Sequence, residues 1–227
     1  MNYPILQIQK IYHVGTLNIN DKSNNSYEGS GLSVSNCPSS WRKINPFSKG
    51  KTFLLEKNNG MFLNRHSLNE EHIEAIYTWG VENGYVEEKL LYQVETYYDD
   101  LQQSYYSNYE TYKEALIEAD DNSEAITKIN GYISTKKLEE ETMNSKSLDP
   151  LDLLITVYSD IVLNLDGVWW NDVLDIYCLS APRGVIFREK LSQWTPVEVE
   201  DSSLIELDYD STESYDEVDD YLGFKYL

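Results

Sequence analysis

The chain has 227 residues, of which 41% are hydrophobic and 25% charged, and its formal net charge is −21. These proportions are typical of folded globular proteins, and the length suffices for one good-sized core. The excess of carboxylates argues against direct binding of nucleic acid or of an anionic membrane, because phosphate groups would be repelled. The sequence shows no secretory signal pattern and no apolar run near the ~18 residues of a spanning helix, so we expect a cytoplasmic protein.

The charge is unevenly distributed along the chain. Residues 1–66 carry eight basic and three acidic side chains, which leaves ten basic and thirty-six acidic ones for the remainder. A basic segment on an acidic protein could bind an anionic small molecule. It could equally neutralise the protein's own acidic parts, and the sequence leaves both interpretations open.

Strand-forming residues dominate the first part of the chain. Residues 5–14 are rich in Ile, Val and Tyr and partly alternate with polar residues, which predicts a strand. The Asn- and Ser-rich residues 18–30 indicate a surface loop. Residues 31–35 and 51–57 then predict two further strands.

Helical patterns follow from residue 67. Ser67 and Glu70 have the spacing of a capping box, and the helix that they begin should end near Gly84. Apolar and tyrosine side chains at steps of three and four predict a long helix over residues 87–119. Two more helices are predicted over residues 123–142 and 149–165.

Strands are predicted to return near the end of the chain. Residues 185–187 are an apolar, β-branched run after a Pro-Arg-Gly turn, and residues 208–221 are strongly acidic. The order of strands, helices and strands predicts an α+β fold, with a small mixed sheet from the N- and C-terminal strands. We expect one domain over residues 1–197 with a helical insertion at about 67–147, followed by an acidic C-terminal segment, 198–227.

Two short motifs near the N-terminus suggest a family. The strings Tyr12-His13-Val14-Gly15-Thr16 and Gly31-Leu32-Ser33-Val34-Ser35 together resemble the first two motifs of ADP-ribosyltransferase-like domains. In that superfamily a Tyr-His-Gly-Thr-like string is followed by a strand that covers the nicotinamide of NAD. This chain departs from the pattern twice, because Val14 is inserted and Val34 replaces an aromatic residue.

The resemblance implies an NAD-cleaving site without a metal. His13 would contact the nicotinamide ribose, and the cofactor contacts around it would come from Tyr12, Gly15, Thr16, Ser33 and Ser35. Arg42 or Arg183 could pair with the pyrophosphate, since a guanidinium binds phosphate bidentately. An anion is needed beside the oxocarbenium-like transition state, and the aspartates near Trp169 and Trp170 include the candidate Asp172.

Each of these residues also has a structural interpretation. His13 could be a hydrogen-bonded core histidine, and Trp169 and Trp170 could serve core packing. Arg183 could sit in a turn and pair with nearby acids. The three histidines and two cysteines are too few and too scattered to predict a metal site.

Two functions of different classes therefore remain open. The first is an NAD-dependent ADP-ribosyltransferase-like effector or toxin of a bacterial or phage conflict system. The second is a non-catalytic acidic interaction protein that imitates the phosphate surface of DNA as an inhibitor or anti-defence protein. In both cases we expect a protein partner, which would be a target, an antitoxin or an inhibited enzyme.

The enzymatic interpretation makes a structural prediction. His13 and Arg183 should lie in neighbouring strands of one sheet, with their side chains on the same face and within about a helix diameter (~10 Å) of each other. Side chains on opposite faces would contradict it.

Overall fold

The computed structural model describes residues 1–17, 31–38, 50–98, 103–120, 125–142, 149–171 and 182–200. The strands in these residues are β1 (Ile5–Gly15), β2 (Gly31–Val34), β3 (Lys51–Asn64), β4 (Val86–Tyr98), β5 (Gln103–Tyr109), β6 (Ile126–Ser134), β7 (Gly167–Trp170), β8 (Arg183–Phe187) and β9 (Thr195–Val199). The helices that we number are α1 (Glu70–Glu82), α2 (Tyr112–Glu118), α3 (Lys136–Glu141) and α4 (Pro150–Ile161). None of the described helices is both long and apolar enough to cross a membrane.

The predicted α+β class is confirmed. The N- and C-terminal strands form one sheet in the order β1-β3-β7-β8-β2, and β9 pairs with the first half of β3. The sheet is mixed, because β3 and β7 run parallel and the other pairs are antiparallel. The predicted strands at residues 5–14, 31–35 and 51–57 are present, and β3 continues to Asn64.

The sheet curls until its first and last strands meet. The amide of Tyr12 donates to the carbonyl oxygen of Ser35 at 2.9 Å, and the amide of Ser35 donates to the carbonyl oxygen of Tyr12 at 2.8 Å. This antiparallel pair joins β1 to the residue that follows β2. The five strands of the path therefore form a small barrel with a short closing contact.

The barrel has a packed apolar interior. Alternate residues of a strand point to opposite faces, so every second side chain enters the barrel. Trp169 and Phe62 are almost fully buried there, and the ring of Trp194 meets Phe62 edge-on at 5.9 Å. The other buried members of this cluster are Ile8, Ile11, Leu32, Val34, Leu55, Ile186 and Leu191.

The outer face of the barrel packs against helices α1 and α4. The strands contribute Leu63, Val168, Trp170, Val185 and Phe187 to this second core, and the helices contribute residues that include Ile76 and Leu154. Helix α4 begins as predicted, with Asp149 as N-cap and Pro150 in its first turn. Helix α1 begins with a capping box of Asn69 and His72, not of Ser67 and Glu70. It ends as predicted just before Gly84, which has a φ of +71°.

The long helix predicted over residues 87–119 is wrong. This region forms the hairpin β4–β5 and only then the short helix α2, and the helix predicted at 123–142 is β6 followed by α3. The tyrosine and apolar residues that matched a helical period divide between the two faces of a strand pair instead. β-Branched and aromatic residues favour strands when both faces find partners, and a periodic pattern alone does not reveal this.

The insertion therefore contains a second sheet with the strand order β5-β4-β6. One of its faces packs against α2 through Val94, Tyr92, Tyr109 and Ile126, with Ala115 and Ala119 on the helix side. The predicted acidic tail and most of segment 198–227 lie outside the described residues. Strand β9, which the sequence did not predict, is an exposed edge strand that tolerates Pro196.

The barrel leaves no room for a side chain at Gly167 in β7. A β-carbon at this position would lie 1.9 Å from the carbonyl oxygen of Val185 and 2.6 Å from the ring of Phe62. At Gly131 in β6 the nearest atom would be a flexible side-chain methyl of Leu91, at 2.6 Å.

We therefore expect Gly167→Ala to lower the free energy of unfolding by about 3 kcal/mol, because two strands must separate. Gly131→Ala, which makes the same chemical change in a strand, should cost less than about 1 kcal/mol. Urea denaturation of both variants measures the difference. Equal costs at the two positions would contradict the described strand packing.

Candidate functional site

His13 lies near the closing contact of the barrel. Its side chain shares a face of β1 with Ile11, pairs across the sheet with Phe53, and is 8% exposed. The ring nitrogen Nδ1 is 2.8 Å from the carbonyl oxygen of Ser33, and Nε2 is 3.2 Å from that of Thr16. Both ring nitrogens therefore face backbone carbonyls, as in a core histidine that links two parts of the chain.

Burial determines the protonation of this ring. Desolvation lowers the pKa of His13 below its ordinary value, and the two carbonyl contacts raise it only in part. Burial therefore favours the uncharged ring, in which a single N–H group donates to only one of the two carbonyls.

The neighbouring residues predicted to bind NAD lie at or beside the barrel closure, which Tyr12 and Ser35 form. The hydroxyl of Ser35 donates to the carbonyl of Pro182 at 2.6 Å and accepts from the amide of Cys37 at 3.0 Å. Tyr12 is buried, and Gly15 has a φ of +143°. Ser33 pairs with Val185 of β8. Two further predicted residues, Arg42 and Asp172, lie outside the described residues.

Arg183 is in the same sheet as His13 but on the other face. It pairs across the strands with Trp170, and its guanidinium carbon lies 5.2 Å from the centre of that ring. Trp170 belongs to the outer core, whereas Ile11 and Leu55, which flank His13, belong to the barrel interior. The prediction that His13 and Arg183 lie in neighbouring strands with side chains on the same face is therefore wrong, because β3 and β7 stand between β1 and β8, and strand alternation directs the two side chains to opposite faces.

The structure instead gathers charged residues where the parallel strands β3 and β7 end. Arg65 follows β3, and its Nε donates to Asp152 Oδ1 at 2.5 Å. The other oxygen of Asp152 accepts from the indole nitrogen of Trp170 at 3.2 Å. Nearby, the amide of Asn171 donates to His66 Nδ1 at 2.9 Å.

Two titratable groups border this cluster. Burial, followed by the charge of Asp149, raises the pKa of Tyr77 to about 12, and its ring stacks on Tyr132 at 3.9 Å. Burial and then the charge of Asp152 raise the pKa of Asp149, the N-cap of α4. A buried acid beside a paired one can indicate catalysis, but here Asp152 is bound on both oxygens by protein groups.

This cluster was only partly visible in the sequence. The sequence pointed to Trp170 and Arg183 as candidate site residues. It did not point to Arg65 and Asp152, because these residues are 87 positions apart and no local pattern connects them. Asp166, another candidate carboxylate, is buried and pairs with Lys57, and its second oxygen accepts from the amide of Met61 at 2.8 Å. These arrangements join β3, β7 and α4, which is a structural role.

The exposed side of α1 is different, because its charges have no partner among the residues that the structure describes. All four glutamates of this helix are exposed, and none forms an ion pair with another described residue. At ~100° per residue, Glu70, Glu74, Glu71 and Glu82 fall within an arc of about 120°. The opposite side carries the buried His72, Ile76 and Gly80. We call these four residues the α1 glutamate row.

Several basic side chains elsewhere pair with other acids. Lys10 pairs with Glu56, Lys51 with Glu198, Lys89 with Glu110 and Lys136 with Glu140. The α1 glutamate row therefore remains an unneutralised patch on the described surface. It is a candidate interface for a cationic partner.

Comparisons with protein-family models, with curated proteins and with solved structures find no match for this chain. Among the described residues, no group of three His, Cys, Asp or Glu side chains is placed to hold a metal ion. The ADP-ribosyltransferase-like function stays a prediction from two short motifs.

The lowered pKa of His13 predicts a pH dependence of stability. The unfolded chain takes up a proton near pH 6.5, while the folded chain does so only at lower pH, so stability is lost as pH falls through this window. In His13→Gln this slope should be smaller between pH 7 and pH 5. Urea denaturation across that range measures it. Parallel slopes for the two proteins would contradict the buried, neutral ring.

The Arg65–Asp152 pair predicts a large cost of removing one partner. The side chains are 12% and 15% exposed, so Asp152→Asn leaves a mostly buried guanidinium without its countercharge. We expect a loss of about 3 kcal/mol in the free energy of unfolding. Glu140→Gln removes half of an exposed pair and should cost less than about 0.5 kcal/mol. A similar small cost for both variants would show that the buried pair does not stabilise the fold.

Proposed function

We propose that this protein is a non-catalytic acidic interaction protein, which binds the nucleic-acid-binding surface of a protein partner. The α1 glutamate row is the observation that carries the proposal. Its four carboxylates are exposed and unpaired among the described residues, and they stand on a helix whose other side is anchored in the core. A row of like charges that no described residue neutralises is suited to a cationic partner.

The number of charges in the row supports a partner that normally binds phosphates. From Glu70 to Glu82 the helix axis rises by ~18 Å, with Glu70, Glu71 and Glu74 in the first ~6 Å and Glu82 at the far end. One strand of B-DNA presents about five phosphates over the same distance. A protein surface shaped for a phosphate strand would therefore meet a similar density of negative charge.

The net charge of −21 adds a long-range contribution. A field of this sign steers a basic protein towards the chain and repels free nucleic acid. The partner should consequently be a protein, and its binding should weaken as salt rises because exposed charges are screened over ~10 Å at 0.1 M.

The test is affinity capture by the immobilised full chain from a nuclease-treated bacterial lysate. Wild type is compared with the triple variant Glu70→Gln, Glu74→Gln, Glu82→Gln. A matched control carries Glu118→Gln, Glu139→Gln and Glu141→Gln, which remove three exposed glutamates from other elements.

We expect the wild-type chain and the control variant to capture the same protein in equal amounts. The row variant should capture about tenfold less of it at low salt, and added duplex DNA should release it. Retention by all three chains alike would contradict the role of α1. Failure of duplex DNA to displace the captured protein would contradict the phosphate-like mode of binding.

A further inference from the structure

The second sheet has one covered and one open face. Helix α2 covers the face that contains Tyr92 and Val94. Towards the hairpin end, the other face carries side chains that are half-buried or exposed: Gln93, Glu95, Tyr97, Ser104, Tyr106 and Asn108. Cross-strand pairing places them together, with Glu95 opposite Tyr106 and Tyr97 opposite Ser104. We call these six residues the tyrosine–glutamate face.

The carboxylate of Glu95 is held in a fixed orientation on this face. The hydroxyl of Ser104 donates to its Oε1 at 2.6 Å, and the hydroxyl of Tyr106 donates to the same oxygen at 3.2 Å. No described residue donates a hydrogen bond to the other oxygen, Oε2. A carboxylate with one oxygen fixed and the other open is oriented to receive a donor from outside.

Two exposed aromatic rings border this carboxylate. Tyr97 is 58% exposed and Tyr106 is 41% exposed. Diagonal neighbours on adjacent strands lie ~7–8 Å apart, so both rings and Glu95 fall within the reach of one long side chain. Exposed tyrosine rings attract cations through their faces.

The tyrosine rings elsewhere in the fold already show this preference. Lys137 lies over Tyr85 with Nζ 4.0 Å from the ring centre, and Lys128 lies over Tyr92 at 5.7 Å, on the covered face of the same sheet. No described lysine or arginine lies over Tyr97 or Tyr106. The tyrosine–glutamate face thus has the components of a cation site without a cation from the described chain.

We propose that the tyrosine–glutamate face binds an arginine side chain from an extended segment of a partner protein. The proposal rests on the proposed function and specifies the chemistry of a second contact with that partner. The planar guanidinium stacks on a tyrosine ring while its N–H groups pair with Glu95, and it loses less hydration than an ammonium. Lysine offers a point charge and cannot make both contacts equally well.

The first test is an NMR titration of the full chain with a decapeptide of alternating Arg and Gly. Matched peptides contain Lys or uncharged citrulline in place of Arg. We expect saturable shifts at Glu95, Tyr97 and Tyr106, at least fivefold weaker binding of the Lys peptide, and no binding of the citrulline peptide. Equal binding of the Arg and Lys peptides, or shifts confined to α1, would overturn the proposal.

Variants assign the two contacts separately. Tyr97→Ser and Tyr106→Ser should each weaken binding of the Arg peptide about two- to fivefold, whereas Tyr97→Phe retains a ring and should bind like wild type. Glu95→Gln should remove most of the preference for Arg over Lys. Tyr112→Ser removes a ring that is 44% exposed on α2, outside this face, and should change nothing. An equal loss in Tyr112→Ser would show that the face is not the site.

The same variants distinguish this proposal from the proposed function. In the capture experiment, Tyr97→Ser and Tyr106→Ser should retain several-fold less partner than Tyr112→Ser does. If the α1 row variant loses the partner while both tyrosine variants keep it, the arginine site is wrong and the acidic interaction function stands. If neither set changes retention, both proposals fail.

Discussion

The closure of the first sheet by the Tyr12–Ser35 pair is the constraint on which the remaining structure depends. Because β1 and the end of β2 share two backbone hydrogen bonds, the five strands enclose Phe62, Trp169 and the rest of the apolar interior. A closed, filled interior leaves the outer face to carry α1 and α4. It also places His13 inside, where two carbonyls and the ring of Phe53 surround it.

This arrangement explains how charge is distributed over the described surface. Charged side chains near the barrel are engaged, since Lys57 holds Asp166 and Arg65 holds Asp152 across strand and helix ends. Buried pairs of this kind cost desolvation and require every oxygen to be bound. Exposed groups on α1 and on the β4–β5 hairpin have no such constraint. The α1 glutamate row and the open rings of Tyr97 and Tyr106 are groups of this kind, and we propose them as the binding surfaces.

The sequence predicted those parts of the fold that depend on local chemistry. The strand at residues 5–14 and the helix that begins at Asp149 have local signals, namely alternation and a cap followed by proline. The helix predicted over 87–119 failed because tyrosine steps of three and four also fit a hairpin whose faces differ in burial. The candidate site was less predictable. His13 and Arg183 do lie in one sheet, as predicted. Their side chains point to opposite faces of it, because strand register and barrel closure determine the face, and no short motif encodes either.

The most direct test of the account is native-state hydrogen exchange at the amides of Tyr12 and Ser35. If the barrel is closed as described, these amides should exchange only on global unfolding, at a free energy close to that of the amide of Leu55 in β3, whose side chain is 1% exposed. Exchange of Tyr12 and Ser35 by a local opening of much lower free energy would contradict the closure. Such local opening would also expose His13 at this end of the barrel and would restore it as a candidate ligand site.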